Sequence, residues 1–157
     1  GSVFAQDVTE PALKAAFIYN FAKFTEWPAD AAPAAEPLLM CVLGDAAVGS
    51  ALERAVNGRL HAGHSMSVAS MKQGAPKQKC HVLYLSGVTP AQAAEVITGL
   101  RDVPVLTISD LEGFTELGGI AKFFFEHGRL RFRVHLESAE RARLHISSRL
   151  LALAIRE

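Results

Sequence analysis

The chain has 157 residues, half of them hydrophobic, and its 16 basic residues balance 16 acidic ones. That length and composition fit one domain with a sizeable core, and zero net charge gives no long-range electrostatic drive toward nucleic acid or an anionic membrane. No apolar run approaches the ~18 residues that a membrane span requires, so no direct membrane insertion is expected.

The first nine residues, "GSVFAQDVT", read as a leader remnant. Gly1-Ser2 has the look of a cloning scar, and "VFAQ" that of the end of a secretory signal peptide, with small Ala5 near the cleavage point. Residues 1–9 are therefore expected to be disordered, and residues 10–157 to form a single domain.

Residues 10–26 carry helical periodicity. Leu13, Phe17, Phe21 and Phe24 fall on one stripe, with Ala16 and Trp27 flanking it, and Tyr19, Lys23 and Glu26 on the opposite side. Asn20 lands at the edge of the apolar stripe, where an amide needs a hydrogen-bond partner. It is expected to fix the helix to a neighbouring backbone. Pro28 stops the helix, and "ADAAPAAEP", 29–37, is a Pro-punctuated linker.

"LLMCVLG", 38–44, is a continuous apolar run of strand length, covered on both faces as in a parallel sheet. "DAAVGSALERAV" follows as a helix with Asp45 as N-cap. "HSMSVASM", 64–71, reads as a weaker strand, and "CHVLYLS", 80–86, as a strong one. "TPAQAAEVITGL" starts a helix with Thr89 as N-cap and Pro90 in its first turn. "VPVLTIS", 103–109, is another strand. Alternating strands and helices predict an α/β fold, a three-layer sandwich with a mostly parallel sheet flanked by helices.

The pattern then changes. "GGIAKFFFEHGRLRFRVHL" holds two strand-like runs around "EHGR", a C-terminal β-hairpin with Gly128 at the turn. In its second run Leu130, Phe132, Val134 and Leu136 alternate with Arg131, Arg133 and His135, which predicts one wet face. In the final segment Ile146, Leu150, Leu153 and Ala154 line one face of a predicted last helix.

No catalytic, cofactor or metal constellation emerges. "GDAAVGS" has the glycine spacing of a phosphate loop but lacks its lysine, and Asp45 would repel a phosphate at the helix start. His61 and His64 in "HAGH" have no companion ligands and read as a surface loop. Ser86, Ser109 and Asp110 lie at strand C-termini, where α/β proteins place their sites, but none stands in a GxSxG elbow. Cys41 and Cys80 are two residues without a CxxC motif. They are one disulfide in an oxidising compartment or two buried thiols in a reducing one.

Taken in order and spacing, "KAAFIYNFAKFTEWP", "CVLG", "CHVLYLS", "VLTISDLEGFTELGGIAKFF" and "LHISSRLLALA" resemble the YfiR family from about residue 12 to the end. The resemblance implies a periplasmic α/β protein, often a homodimer. It implies repression of a membrane-bound diguanylate cyclase, YfiN-like, through the cyclase's periplasmic domain, which lowers cyclic-di-GMP and biofilm formation. It pairs Cys41 with Cys80 in a structural disulfide. A second cysteine pair of some relatives is missing here, with Thr115 and Lys122 in that region, and Arg133 stands where relatives tend to carry an acidic residue.

Two functions follow as expectations. The first is a regulatory partner protein without catalysis, docking through residues 113–125 and the last helix, with Phe114, Gly118, Gly119, Phe124 and Arg133 at the contact. The glycines would let a partner backbone approach, and the balanced charge favours an interface led by apolar burial. The second is a periplasmic small-molecule module with a pocket at Asn20, Ser86, Ser109 and Asp110.

Overall fold

The computed structural model describes residues 8–156. The scar and signal-peptide remnant read in residues 1–6 lie outside the described residues. Thr9, assigned by its sequence position to a disordered stretch, instead caps the first helix: its hydroxyl accepts from the Ala12 amide at 3.2 Å.

Helix α1 spans Glu10–Lys23 and buries Lys14, Ala15, Ile18, Phe21 and Ala22. It ends three residues before its expected limit. The Thr25 hydroxyl donates to the Phe21 carbonyl at 2.6 Å, taking the acceptor that the next helical amide would have used. Thr25–Glu26 then form strand β1 instead. The buried face is also rotated from the expected stripe. Asn20 is exposed, so its amide is solvated and does not tie the helix to the core.

Strand β2 (Leu38–Leu43) leads into α2 (Ala46–Val56), where the Asp45 carboxylate accepts from the Val48 amide. "HAGH" is a hairpin turn between β3 (Leu60–His61) and β4 (His64–Met71), with positive φ at both Ala62 and Gly63. That is the signature of the two-residue turn whose twist suits a hairpin. β5 (Val82–Leu85), α3 (Pro90–Gly99) and β6 (Leu106–Ser109) follow, and Thr89 and Gln92 close a capping box on α3. β7 (Ala121–Glu126) and β8 (Arg129–Val134) form the expected hairpin around His127 and Gly128, both at positive φ.

The large sheet runs β3-β4-β2-β5-β6-β7-β8. Its five central strands are parallel and its two outermost pairings antiparallel. α1, α2 and the C-terminal segment cover one face, where Phe17, Phe21, Phe123 and Phe132 pack mostly edge-to-face at centroid distances of 4.9–6.1 Å. Such pairs add to area burial because ring edges and faces carry opposite partial charge. α3 covers part of the other face, over Leu83, Leu85 and Phe114. Cys41 and Cys80 form a buried disulfide in that layer.

The chain end is not one helix. α4 (Leu136–Arg141), β9 (His145–Ile146) and α5 (Ser148–Leu151) share it. Arg143 adopts positive φ, which breaks the helix, and β9 pairs antiparallel with β1. Ile146 and Leu150 are buried as the pattern required, whereas Leu153 is exposed.

Candidate functional site

Two places gather the residues singled out in the sequence. The first is the C-terminal end of the parallel strands. The chain winds from β2 to β4 on one side and returns to β5 on the other, so a crevice is expected where β2 and β5 diverge. The protein fills that space itself. Gly44, at φ +85°, lies so close to Ser86 that an added Cβ would stand 2.0 Å from the Ser86 carbonyl oxygen. Register places Leu85 beside Ser109, which brings Ser86 next to Asp110. The Ser86 hydroxyl donates to both Asp110 oxygens, at 2.9 and 3.1 Å. Lys14, buried on α1, reaches the same carboxylate at 2.9 Å and Glu10 at 2.9 Å.

Burial alone would lower the Lys14 ammonium, but its hydrogen bonds to Asp110 and Glu10 outweigh that and raise it above the usual lysine range. Tyr84, fully buried beside Ser86 and Asp110, has its hydroxyl pushed up by burial first and by the Asp110 charge next. Its oxygen makes no hydrogen bond of good geometry, although Ser86 is near enough to influence it. Ser109 is buried, and its hydroxyl accepts from the Leu111 amide. Asn20 stands apart from this cluster and lines a different groove of about 360 Å³, with Phe17, Leu150 and Leu153. The four residues read as one pocket are therefore not brought together. Lys14 takes the place given to Asn20.

The second place is the face of the β7–β8 hairpin that carries Lys122, Phe124, Arg131 and Arg133, on the opposite side from the buried Phe123 and Phe132. The Arg133 guanidinium lies over the Phe124 ring at 4.3 Å from its centroid, a contact that orders the side chain while leaving its N–H edges for an acceptor. Lys122 pairs with Glu112 at 2.8 Å, and Arg131 approaches Glu126 at 3.6 Å. The exposed Glu112 carboxyl is held below the usual range, first by its hydrogen bond from Lys122 and then by the Lys122 charge, with a smaller contribution from Arg133. Lys122, Arg131 and Arg133 outnumber Glu112 and Glu126 on this face, in a chain of zero net charge.

Phe114, read as a contact residue, is instead completely buried and packs with Leu83 and Leu85. The glycines beside it serve the fold. An added Cβ at Gly119 would fall 2.2 Å from the Phe114 ring, so Gly119 makes room for an internal aromatic and not for a partner backbone. Gly118 adopts φ +105°, with the Ile97 side chain 3.1 Å from where its Cβ would be. Sequence reasoning missed Lys14 and the arginine stripe as a unit. Both left a signal: Lys14 shares a helical face with Ile18 and Phe21, and "RLRFR" puts a cation at every second position of a strand.

Among the described residues no helix is long and apolar enough to cross a membrane, and no group of three His, Cys, Asp or Glu side chains is placed to hold a metal. A comparison with curated proteins found no match. The model of the YfiR/HmsC-like family matches residues 11–155. With the α/β sheet, the disulfide and the hairpin in place across that whole span, the chain belongs to the YfiR/HmsC-like family.

Proposed function

We propose that the protein is a periplasmic regulator that binds the periplasmic sensor domain of a membrane-bound diguanylate cyclase and represses it, lowering cyclic-di-GMP and biofilm formation. Family membership over nearly the whole chain carries this reading. The Cys41–Cys80 disulfide supports an oxidising compartment. No catalysis is needed. A regulator that binds the inactive arrangement of the cyclase tenfold more tightly than the active one shifts that equilibrium by about 1.4 kcal/mol.

The contact surface in this reading is the open face of the β7–β8 hairpin, around Phe124 and Arg133. A homodimer, as the family resemblance implies, is part of the proposal. The small-molecule alternative draws less support, because Ser86, Asp110 and Lys14 already bond one another. Titration of the purified protein with the isolated sensor domain tests the reading, repeated with Phe124→Ala and Arg133→Ala variants shown to be folded. Binding that both variants weaken supports this surface. Undiminished binding removes the surface, and no binding to any periplasmic cyclase domain of the source organism removes the regulator reading. Sedimentation of the free protein tests the dimer.

A further inference from the structure

β8 is the outer strand of the large sheet, and its hydrogen bonding has a definite parity. The Phe132 carbonyl accepts from the Ile155 amide at 2.8 Å, on the side away from β7. His135, by contrast, donates to Ile120 on the β7 side, at 2.7 Å. In an antiparallel ladder these directions alternate, so Leu130 and Val134 point their N–H and C=O groups outward with Phe132. Among the described residues Ile155 alone bonds to this outer edge. The C-terminal segment packs beside this edge through Leu150 and Leu153 but makes a single backbone hydrogen bond to it among the described residues, so most of its outward backbone groups are left for a strand-like neighbour.

The side chains say which neighbour fits. Arg129, Arg131 and Arg133 stand at alternate positions of β8, on the face opposite Leu130 and Phe132. Only Arg131 has a carboxylate within 4 Å among the described residues. Arg133 is spread on Phe124. Beside that edge a strand added to β8 would meet the groove of about 360 Å³ lined by Phe17, Leu150 and Leu153, with Asn20, Arg129 and Arg131 at its polar margin. A second copy of this chain is a poor occupant. Two β8 strands paired across a twofold axis would set arginines opposite arginines, which is destabilising.

We propose that the outer edge of β8 is a docking site for an extended segment of a protein partner whose residues alternate between acidic and apolar. Backbone hydrogen bonds to Leu130 and Val134 give the added strand its register. Its carboxylates, two residues apart, meet the three arginines, its apolar side chains enter the groove, and its backbone replaces the Ile155 amide on the Phe132 carbonyl. The inference deepens the partner-binding reading and rests on it only in requiring that the protein act by binding another.

The test uses the full chain and two fluorescent peptides of one composition, Glu and Val in alternation and Glu and Val in separate blocks. The alternating peptide is expected to bind roughly tenfold more tightly than the block peptide, to weaken as salt rises, and to slow amide exchange at Leu130 and Val134. The double variant Arg129→Ala/Arg133→Ala, with its fold confirmed by circular dichroism, is expected to lose about tenfold or more in affinity. Equal binding of the two peptides reduces the stripe to attraction for polyanions and overturns the proposal. Failure of the alternating peptide to bind, unchanged affinity in the double variant, or unchanged exchange at Leu130 and Val134 also overturns it. Loss of the cyclase interaction with peptide binding intact refutes the cyclase reading alone, and the converse refutes the edge site alone.

Discussion

At the scale of single residues, burial separates roles that composition could not. Gly119 and Phe114 behave as a pair, because the ring occupies the space a Cβ at Gly119 would need. Gly119→Ala is expected to destabilise by about 1–3 kcal/mol through overpacking, and Phe114→Ala by about 3–5 kcal/mol through loss of a buried ring. The double variant should cost clearly less than the sum, since removing the ring removes the clash. Urea midpoints of the four proteins check this, and strict additivity would refute it. Asn20→Leu, at an exposed site, should change the stability read from the same urea curves by no more than about 0.5 kcal/mol.

Lys14 makes a pH-dependent prediction. Its folded value is raised above that of the unfolded chain, so its contribution is complete below the ordinary lysine value and is lost progressively as pH rises from there through the folded value. Lys14→Met is therefore expected to destabilise by a margin that stays constant from neutral pH to about pH 10 and shrinks above it. Unfolding midpoints of both proteins across that range are the measurement. A margin that already shrinks between pH 7 and 9 would contradict the assignment.

At the scale of elements, turns and caps were written into local chemistry, and ends that depend on distant partners were not. Ala62 holds positive φ in the β3–β4 turn at a cost that asparagine pays less of. Ala62→Asn is expected to raise stability by a few tenths to about 1 kcal/mol, because Asn-Gly is the favoured pair for this turn. A lower thermal midpoint would show that the turn's strain is balanced elsewhere. The end of α1 and the broken C-terminal helix are one event seen from two sides. β1 leaves the first helix and β9 interrupts the last, and each supplies the other's hydrogen bonds. Neither segment reads as a strand alone, since two residues carry no alternation to detect.

At the scale of the whole molecule, the disulfide joins β2 to the segment just before β5 across a sequence separation of 39 residues. Chain-entropy arguments give about 3–4 kcal/mol for a loop of that size. Reduction should lower the denaturant midpoint accordingly, and alkylation of non-reduced, denatured protein should find no free thiol. Two labelled cysteines would refute the bond. The charge of the molecule teaches a different lesson. Equal totals of acid and base conceal a strand on which three arginines share one face.

The sequence by itself determined the α/β class, the parallel strands read at 38–44, 64–71, 80–86 and 103–109, of which the last two proved shorter, at 82–85 and 106–109, the hairpin at Gly128, and the caps at Asp45 and Thr89. Each of these rests on interactions within a few residues or on a hydrophobic period, both of which are visible in one dimension. Only the tertiary structure decided which aromatic residues face inward, that Lys14 and not Asn20 meets Asp110, and that Phe114 belongs to the core. Those outcomes depend on the rotation of α1 over the sheet and on which face of β7 receives a covering helix. Helix rotation and sheet coverage are settled by packing between segments up to 100 residues apart, as Lys14 and Asp110 are at a separation of 96, and no local pattern records them.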